Sequence, residues 1–274
     1  LGQTKHESER MAFRPPPSVG DTEGGGGKTK GKNEASVQAN FLLLYGVFLF
    51  NDTIYFELLS KTAELDQGPG QYRIGLVALS NDYVTERDFM NMRPSDDVVV
   101  FTSRIRNTPE CTAESLRDME PLITEATSLI VPEGRLDVVA YSCTSGTAVM
   151  GFDKICSLIQ VARPGIAVVT PITSSLAALD LFGVQRIAVL TPYVDDVNAG
   201  IARYLEDHGK SISAFSSFKI VENEIMALVT PQSIFNAALE ADRIDADALF
   251  ISCTAIRAVE VIDKIEQKLG KPVI

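Results

Sequence analysis

From Tyr72 onward the chain alternates between short apolar runs rich in β-branched residues and longer segments of mixed polarity. The runs at 74–79, 98–102, 138–141, 166–169, 187–191, 211–218 and 248–251 predict strands. The segments near 83–92, 113–130, 146–161, 173–182, 195–208, 232–242 and 255–269 predict helices. Strands that read as unbroken hydrophobic runs are covered on both faces, and intervening helices supply parallel crossovers. The pattern predicts an α/β fold built on a mostly parallel sheet.

The pattern also repeats. Leu136-Asp-Val-Val-Ala-Tyr-Ser-Cys143-Thr-Ser-Gly146 is echoed by Ala246-Asp-Ala-Leu-Phe-Ile-Ser-Cys253-Thr-Ala-Ile256, and each corner leads into a segment containing Asp-Lys-Ile. Arg73-Ile-Gly-Leu-Val-Ala-Leu-Ser80 resembles Arg186-Ile-Ala-Val-Leu-Thr-Pro-Tyr193 at an offset of 113, against 110 for the cysteine corners. Two matches with consistent spacing predict two pseudo-symmetric Rossmann-like lobes, 72–182 and 183–274. Each is a mostly parallel sheet flanked by helices, with the active site between them. Lys271-Pro-Val-Ile274 reads as the opening of a further strand, so the second lobe is expected to be C-terminally truncated. Residues 1–38, with three consecutive prolines and a run of four glycines, predict a disordered leader. Residues 39–71 are atypical: their apolar stretches at 41–50 and 54–59 have no place in the repeat and predict an added helix.

Composition narrows the function classes. The 274 residues are 45% hydrophobic, enough to bury a substantial core. With 25 basic against 36 acidic residues the net charge is -11, which argues against nucleic acid as a partner. The longest apolar run is far shorter than the roughly 20 residues of a membrane span, so no membrane role is expected. Four cysteines without a secretory leader point to a reducing, cytoplasmic setting. The two histidines and the acidic residues show no metal-ligand spacing, and no phosphate-binding loop is evident. A mechanism without metal or cofactor fits best.

The candidate chemistry sits at strand ends. In open α/β sheets ligands bind beyond the carboxyl ends of strands, where Cys143 and Cys253 both fall. A helix N-terminus following each cysteine would hold an anion and raise the thiolate fraction. A single cysteine at such a place is more often a small buried hydrophobe, as Cys111 and Cys156 are read here; duplication favours chemistry for Cys143 and Cys253. Thr144, Ser145 and Thr254 supply hydroxyls next to the thiols, a pattern that also serves ordinary helix capping. Asn81 and Tyr193 end the first strand of each lobe and would line a pocket between them. Asn223 is a weaker candidate, with a turn role competing.

On the Tyr141-Ser-Cys143-Thr-Ser-Gly146 turn, Thr191-Pro-Tyr193 and Ile251-Ser-Cys253-Thr254, the stretch from Arg73 to Ile274 resembles the aspartate/glutamate racemase superfamily. The likeness is to the branch holding maleate cis-trans isomerase, arylmalonate decarboxylase and the ectoine-utilisation protein A group. The resemblance implies two cysteines facing each other across the lobe interface, here Cys143 and Cys253, working without a cofactor. It implies carboxylate binding by Asn81 and Tyr193, a hydroxyl-bearing turn at Thr144 and Ser145, and a later asparagine matched by Asn223 or displaced onto Glu224. The decarboxylase has glycine at the first cysteine position, so keeping both thiols favours an isomerase or racemase of a small mono- or dicarboxylic acid. The alternatives are a decarboxylase of a malonate-type acid and a non-catalytic carboxylate-binding homologue. A homo-oligomer is compatible with the sequence.

Overall fold

The first strand, β1 (Tyr72–Leu79), has Leu76, Val77 and Ala78 completely enclosed, so both of its faces are covered and it must lie inside a sheet. In the computed structural model, which describes residues 63–274, it does. Parallel neighbours flank it: β2 (Val98–Ile105) on one side and β3 (Val138–Tyr141) on the other, with β4 (Ala167–Val169) beyond β3. The second sheet repeats the plan, with β6 (Ser211–Ser217), β5 (Arg186–Thr191) and β7 (Ala248–Ile251) in the order β6-β5-β7. Residues 272–274 continue it: Leu249 N–H donates to Pro272 O at 3.0 Å and Ile251 N–H to Ile274 O at 2.8 Å. They lie beside β7 as β4 lies beside β3. The expected leader, and the part of the atypical segment up to residue 62, lie outside the described residues; 63–71 hold no helix or strand.

The repeat extends to its fastenings. Asp137, just before β3, accepts from the Arg73 backbone N–H at 2.8 Å, and Asp247, just before β7, accepts from the Arg186 N–H at 2.8 Å. Those bonds to the charged form hold both carboxyls below their usual range. In each sheet the chain leaves the central strand, crosses to one neighbour, and returns to the opposite side. The reversal creates a crevice at the carboxyl ends of β1 and β3, and another at those of β5 and β7.

Helices follow the pattern with four differences, one of them a short helix at Asn223–Leu228 that no expected segment covers. The expected helix at 146–161 is two, α4 (Thr144–Met150) and α5 (Phe152–Ala162), because Gly151 sits at φ 87°, in a region where a helix cannot continue. The segment 113–130 breaks into α2 (Ala113–Arg117), a 3₁₀ turn and α3 (Ile123–Ser128); α1 (Thr85–Met92) precedes them. The helix expected from 255 begins only at Ile262. Beyond α6 (Pro171–Leu181) come α7 (Asp195–Asp207), α8 (Asn223–Leu228), α9 (Pro231–Ala241) and α10 (Ile262–Leu269). One apolar cluster runs from Val77 and Tyr141 through Tyr193 and Phe250 to Val273, so the two sheets share a core. Helix α4, from the first lobe, packs against α7 of the second. Among the described residues no helix is long and apolar enough to cross a membrane.

Candidate active site

The two crevices face each other. Asn81 follows β1, Cys143 follows β3, Tyr193 follows β5 and Cys253 follows β7, and all four line one cavity. Thr144, Ser145, Thr254 and Asn223 line it too, whereas Glu224, the alternative to Asn223, does not. The enclosed space is about 20 Å³, room for roughly one water.

The two cysteine corners are less alike than their sequences. Cys143 is extended (φ −145°) and itself caps α4, its sulfur accepting from the Gly146 N–H at 3.2 Å in the place that Ser or Asp commonly fills. Glycine at 146 is required by the crowding: a Cβ there would lie 2.8 Å from the Tyr141 hydroxyl and 3.0 Å from the Cys143 sulfur. Cys253 is not followed by a helix N-terminus. It sits at φ 116°, a conformation that favours glycine, and turns the chain so that its sulfur accepts from Ala255 N–H at 3.3 Å.

The expectation of a raised thiolate fraction is corrected by the burial of both thiols. Burial pushes the Cys143 thiol up, opposed by Ser145, by its bond from Gly146 N–H and by the neighbouring Tyr141 hydroxyl. Burial likewise pushes Cys253 up to about 12, opposed by Tyr193 and Ala255 N–H. Desolvation outweighs the donors, and both groups rest as neutral thiols. A consequence is measurable. The unfolded Cys253 thiol ionises near its ordinary 9.0, while the folded one keeps its proton to about 12. Its stabilising contribution is therefore complete below pH 9 and is lost as pH rises from 9 toward 12, at up to about a tenfold change in the folding constant per pH unit. Denaturant titrations across this window are expected to show a steeper alkaline loss for the native protein than for Cys253→Ala.

The polar groups divide into those free to meet a ligand and those already committed. Asn81 accepts from Asn107 Nδ2 at 2.7 Å, which leaves its own amide hydrogens uncommitted among the described residues. Tyr193 is almost fully enclosed, and burial holds its hydroxyl protonated. Its backbone is clamped by Asn198, which donates to Tyr193 O at 2.8 Å and accepts from Thr191 Oγ1 at 2.6 Å. Ser145 Oγ lies 3.6 Å from the Cys143 sulfur. Thr254, in contrast, donates its hydroxyl proton to Ser142 O at 3.3 Å, tying one corner to the other. Asn223 spends its amide on Thr108 O and Pro109 O, both at 3.2 Å, and so fastens the loop after β2 to the start of α8.

Three neighbours escaped the sequence analysis. Asp82 lines the cavity, nearly buried, its carboxylate held by the N–H groups of Val84 (2.7 Å) and Thr85 (2.8 Å). Asn107 orients Asn81. Arg104 clamps the same turn by donating to Leu79 O and Asp82 O, each at 2.9 Å. The only hint in the sequence is that Asn81-Asp82 follows a strand; Arg104 and Asn107 act from a neighbouring strand end. Cys111, read as a bystander, lies 3.9 Å from Ser145 Oγ and thus joins the group. A larger and mostly apolar cavity of about 290 Å³ adjoins the site, sharing Thr144, Cys253 and Thr254 with it. Among the described residues no group of three or more His, Cys, Asp or Glu is arranged to hold a metal.

Comparison with known proteins agrees with this architecture. The family model for arylmalonate decarboxylase matches residues 138–274. A maleate isomerase from Alcaligenes faecalis is 23% identical over 220 residues, covering 74% of this chain and 85% of that protein. An arylmalonate decarboxylase from Bordetella bronchiseptica is 30% identical over 125 residues, 45% of this chain and 52% of that one. A mutant Nocardia farcinica maleate cis-trans isomerase, solved with a covalently bound succinylcysteine intermediate, superposes with a TM-score of 0.68 at 20% identity, covering 74% of this chain and 86% of that one. With half its length matched by the family model, and with this fold, the chain belongs to the arylmalonate decarboxylase family, in the branch that also contains the maleate isomerases.

Proposed function

We propose that the protein is a cofactor-independent isomerase of a small unsaturated dicarboxylic acid of the maleate type. The observation carrying this reading is that Cys143 and Cys253 line one cavity together with the uncommitted side-chain amide of Asn81. The two maleate isomerases described above add support, the Nocardia enzyme having been captured with a succinyl group on cysteine.

The steps follow from the thiols. Cys143 passes its proton to a substrate carboxylate and its sulfur adds to one alkene carbon; a C–S bond forms and the π pair moves toward the far carboxylate as enediolate. Amide hydrogens of Asn81 and the Tyr193 hydroxyl meet that developing charge. The Cys253 thiol gives its proton to the far carbon, leaving a thioether with a freely rotating C–C single bond. After rotation the Cys253 thiolate takes a proton back from that carbon, the C–S bond breaks, and the trans acid leaves. The released Cys143 thiolate recovers its proton from the product carboxyl, so atoms and electrons balance with no other reactant. Since both thiols rest protonated, loss of the Cys143 proton is part of the barrier.

Decarboxylation is the second reading, favoured by the 30% identity to the Bordetella decarboxylase over the matched region. One assay separates the two. A panel of maleate, substituted maleates and arylmalonates is followed for trans product, solvent deuterium uptake and CO₂ release. Trans product from a maleate is the expected result; CO₂ release alone overturns isomerisation, and deuterium uptake with inversion of a saturated acid would indicate racemase chemistry.

A further inference from the structure

The Tyr141 hydroxyl is an anomaly. It is fully buried and has no hydrogen-bond partner, although leaving a buried hydroxyl without one is destabilising. Apolar packing alone would be served as well by phenylalanine. The hydroxyl is nevertheless placed beside the reacting group: it and the Cys143 sulfur both lie within 3.0 Å of the point where a Gly146 Cβ would stand. Glycine at 146 keeps the space between them open.

We infer that Tyr141 is a positioning residue whose hydroxyl is a donor held for the Cys143 thiolate. While Cys143 is a neutral thiol, a weak acceptor, the hydroxyl has nothing worth bonding. Once the sulfur carries charge, a short rotation turns the O–H onto it, and the bond formed is of the stronger, charge-assisted kind. A donor unused in the resting state and engaged in the ionised one lowers the barrier instead of merely tightening binding. The other groups near the sulfur are accounted for: Gly146 N–H donates to it, Ser145 Oγ lies 3.6 Å from it, and the Asp82 carboxylate opposes its ionisation. Tyr141 thus offsets Asp82. Its own proton is secure, since burial raises the phenol well above its usual range.

The inference rests on Cys143 being the reacting thiol, but its test does not need turnover. Alkylation of Cys143 by iodoacetamide is measured against pH, with peptide mass spectrometry to distinguish it from the other cysteines. In Tyr141→Phe the midpoint is expected to rise by about one pH unit. Thermal stability should be unchanged or higher, because an unpaired polar group has been removed. With substrate, kcat should fall and KM change little. Fluorotyrosine at 141, a stronger donor, should move the midpoint down, and it answers the question even if Tyr141→Phe does not fold. An unmoved Cys143 midpoint in a folded variant overturns the inference. A shifted midpoint in a protein with no isomerase activity would leave it standing and overturn only the proposed reaction.

Discussion

Replacing Cys143 with alanine is expected to lower kcat by roughly 10⁴-fold or more while leaving the fold in place. The size follows from the role: without the sulfur no adduct forms at that position, and Cys253, the other thiol lining the cavity, is needed to move the proton. Ser145, the adjacent hydroxyl, lacks a base to activate it. The structural cost is separable. Cys143 also caps α4 through Gly146 N–H, so alanine forfeits that cap, at about 1 kcal/mol. Cys143→Ser keeps an acceptor for Gly146 N–H and should recover stability without recovering activity. Circular dichroism and thermal melts, read beside turnover, separate the contributions. Unimpaired turnover in the alanine variant would end the assignment of Cys143.

Cys253→Ala is expected to lower turnover by about 10²- to 10⁴-fold, the range of a lost general acid–base group. The defect should have a particular form. Water can protonate the enediolate carbon, but removing a proton next to a carboxylate needs a placed base. The thioether on Cys143 should therefore form and persist. Backbone conformation adds a second handle. At φ 116° a side chain is strained, so Cys253→Gly should be as inactive as alanine yet more stable than it by about 1 kcal/mol. On the proposed mechanism, the strain is tolerated because the thiol moves the proton. Equal stability of the two variants would remove that argument, and turnover near the native rate in either would remove Cys253 from the mechanism.

Much of this was legible in the sequence, for identifiable reasons. Strands β3 and β7 fall where the apolar runs place them, because a parallel strand covered on both faces cannot tolerate polar interruption. The repeat was legible because it is carried by the same residue types at the same points, Asp137 with Asp247 and Cys143 with Cys253. The break at Gly151 was not, since a glycine inside a helical pattern is ambiguous until its φ is known. Nor was the turn after Cys253: Ser-Cys-Thr reads identically in both corners, and only the backbone separates a helix cap from a strained turn. Helix α8 was missed because it is short, although it begins at Asn223 and brings that residue to the cavity. Asn107 acts on Asn81 across 26 positions of chain, and such contacts leave no local signature. The raised thiols were hidden for the same kind of reason, because proximity to a helix start is readable in sequence and desolvation is not.

The central claim is that Cys143 bonds covalently to the substrate while Cys253 moves the proton. The most direct measurement is the mass of Cys253→Ala after incubation with maleate and acid quench, followed by peptide mapping. The account predicts a gain of one maleic acid on the peptide carrying Cys143, absent from Cys143→Ala treated alike. A native enzyme that isomerises maleate while its Cys253→Ala variant carries no adduct at Cys143, or carries it on another cysteine, would contradict the account.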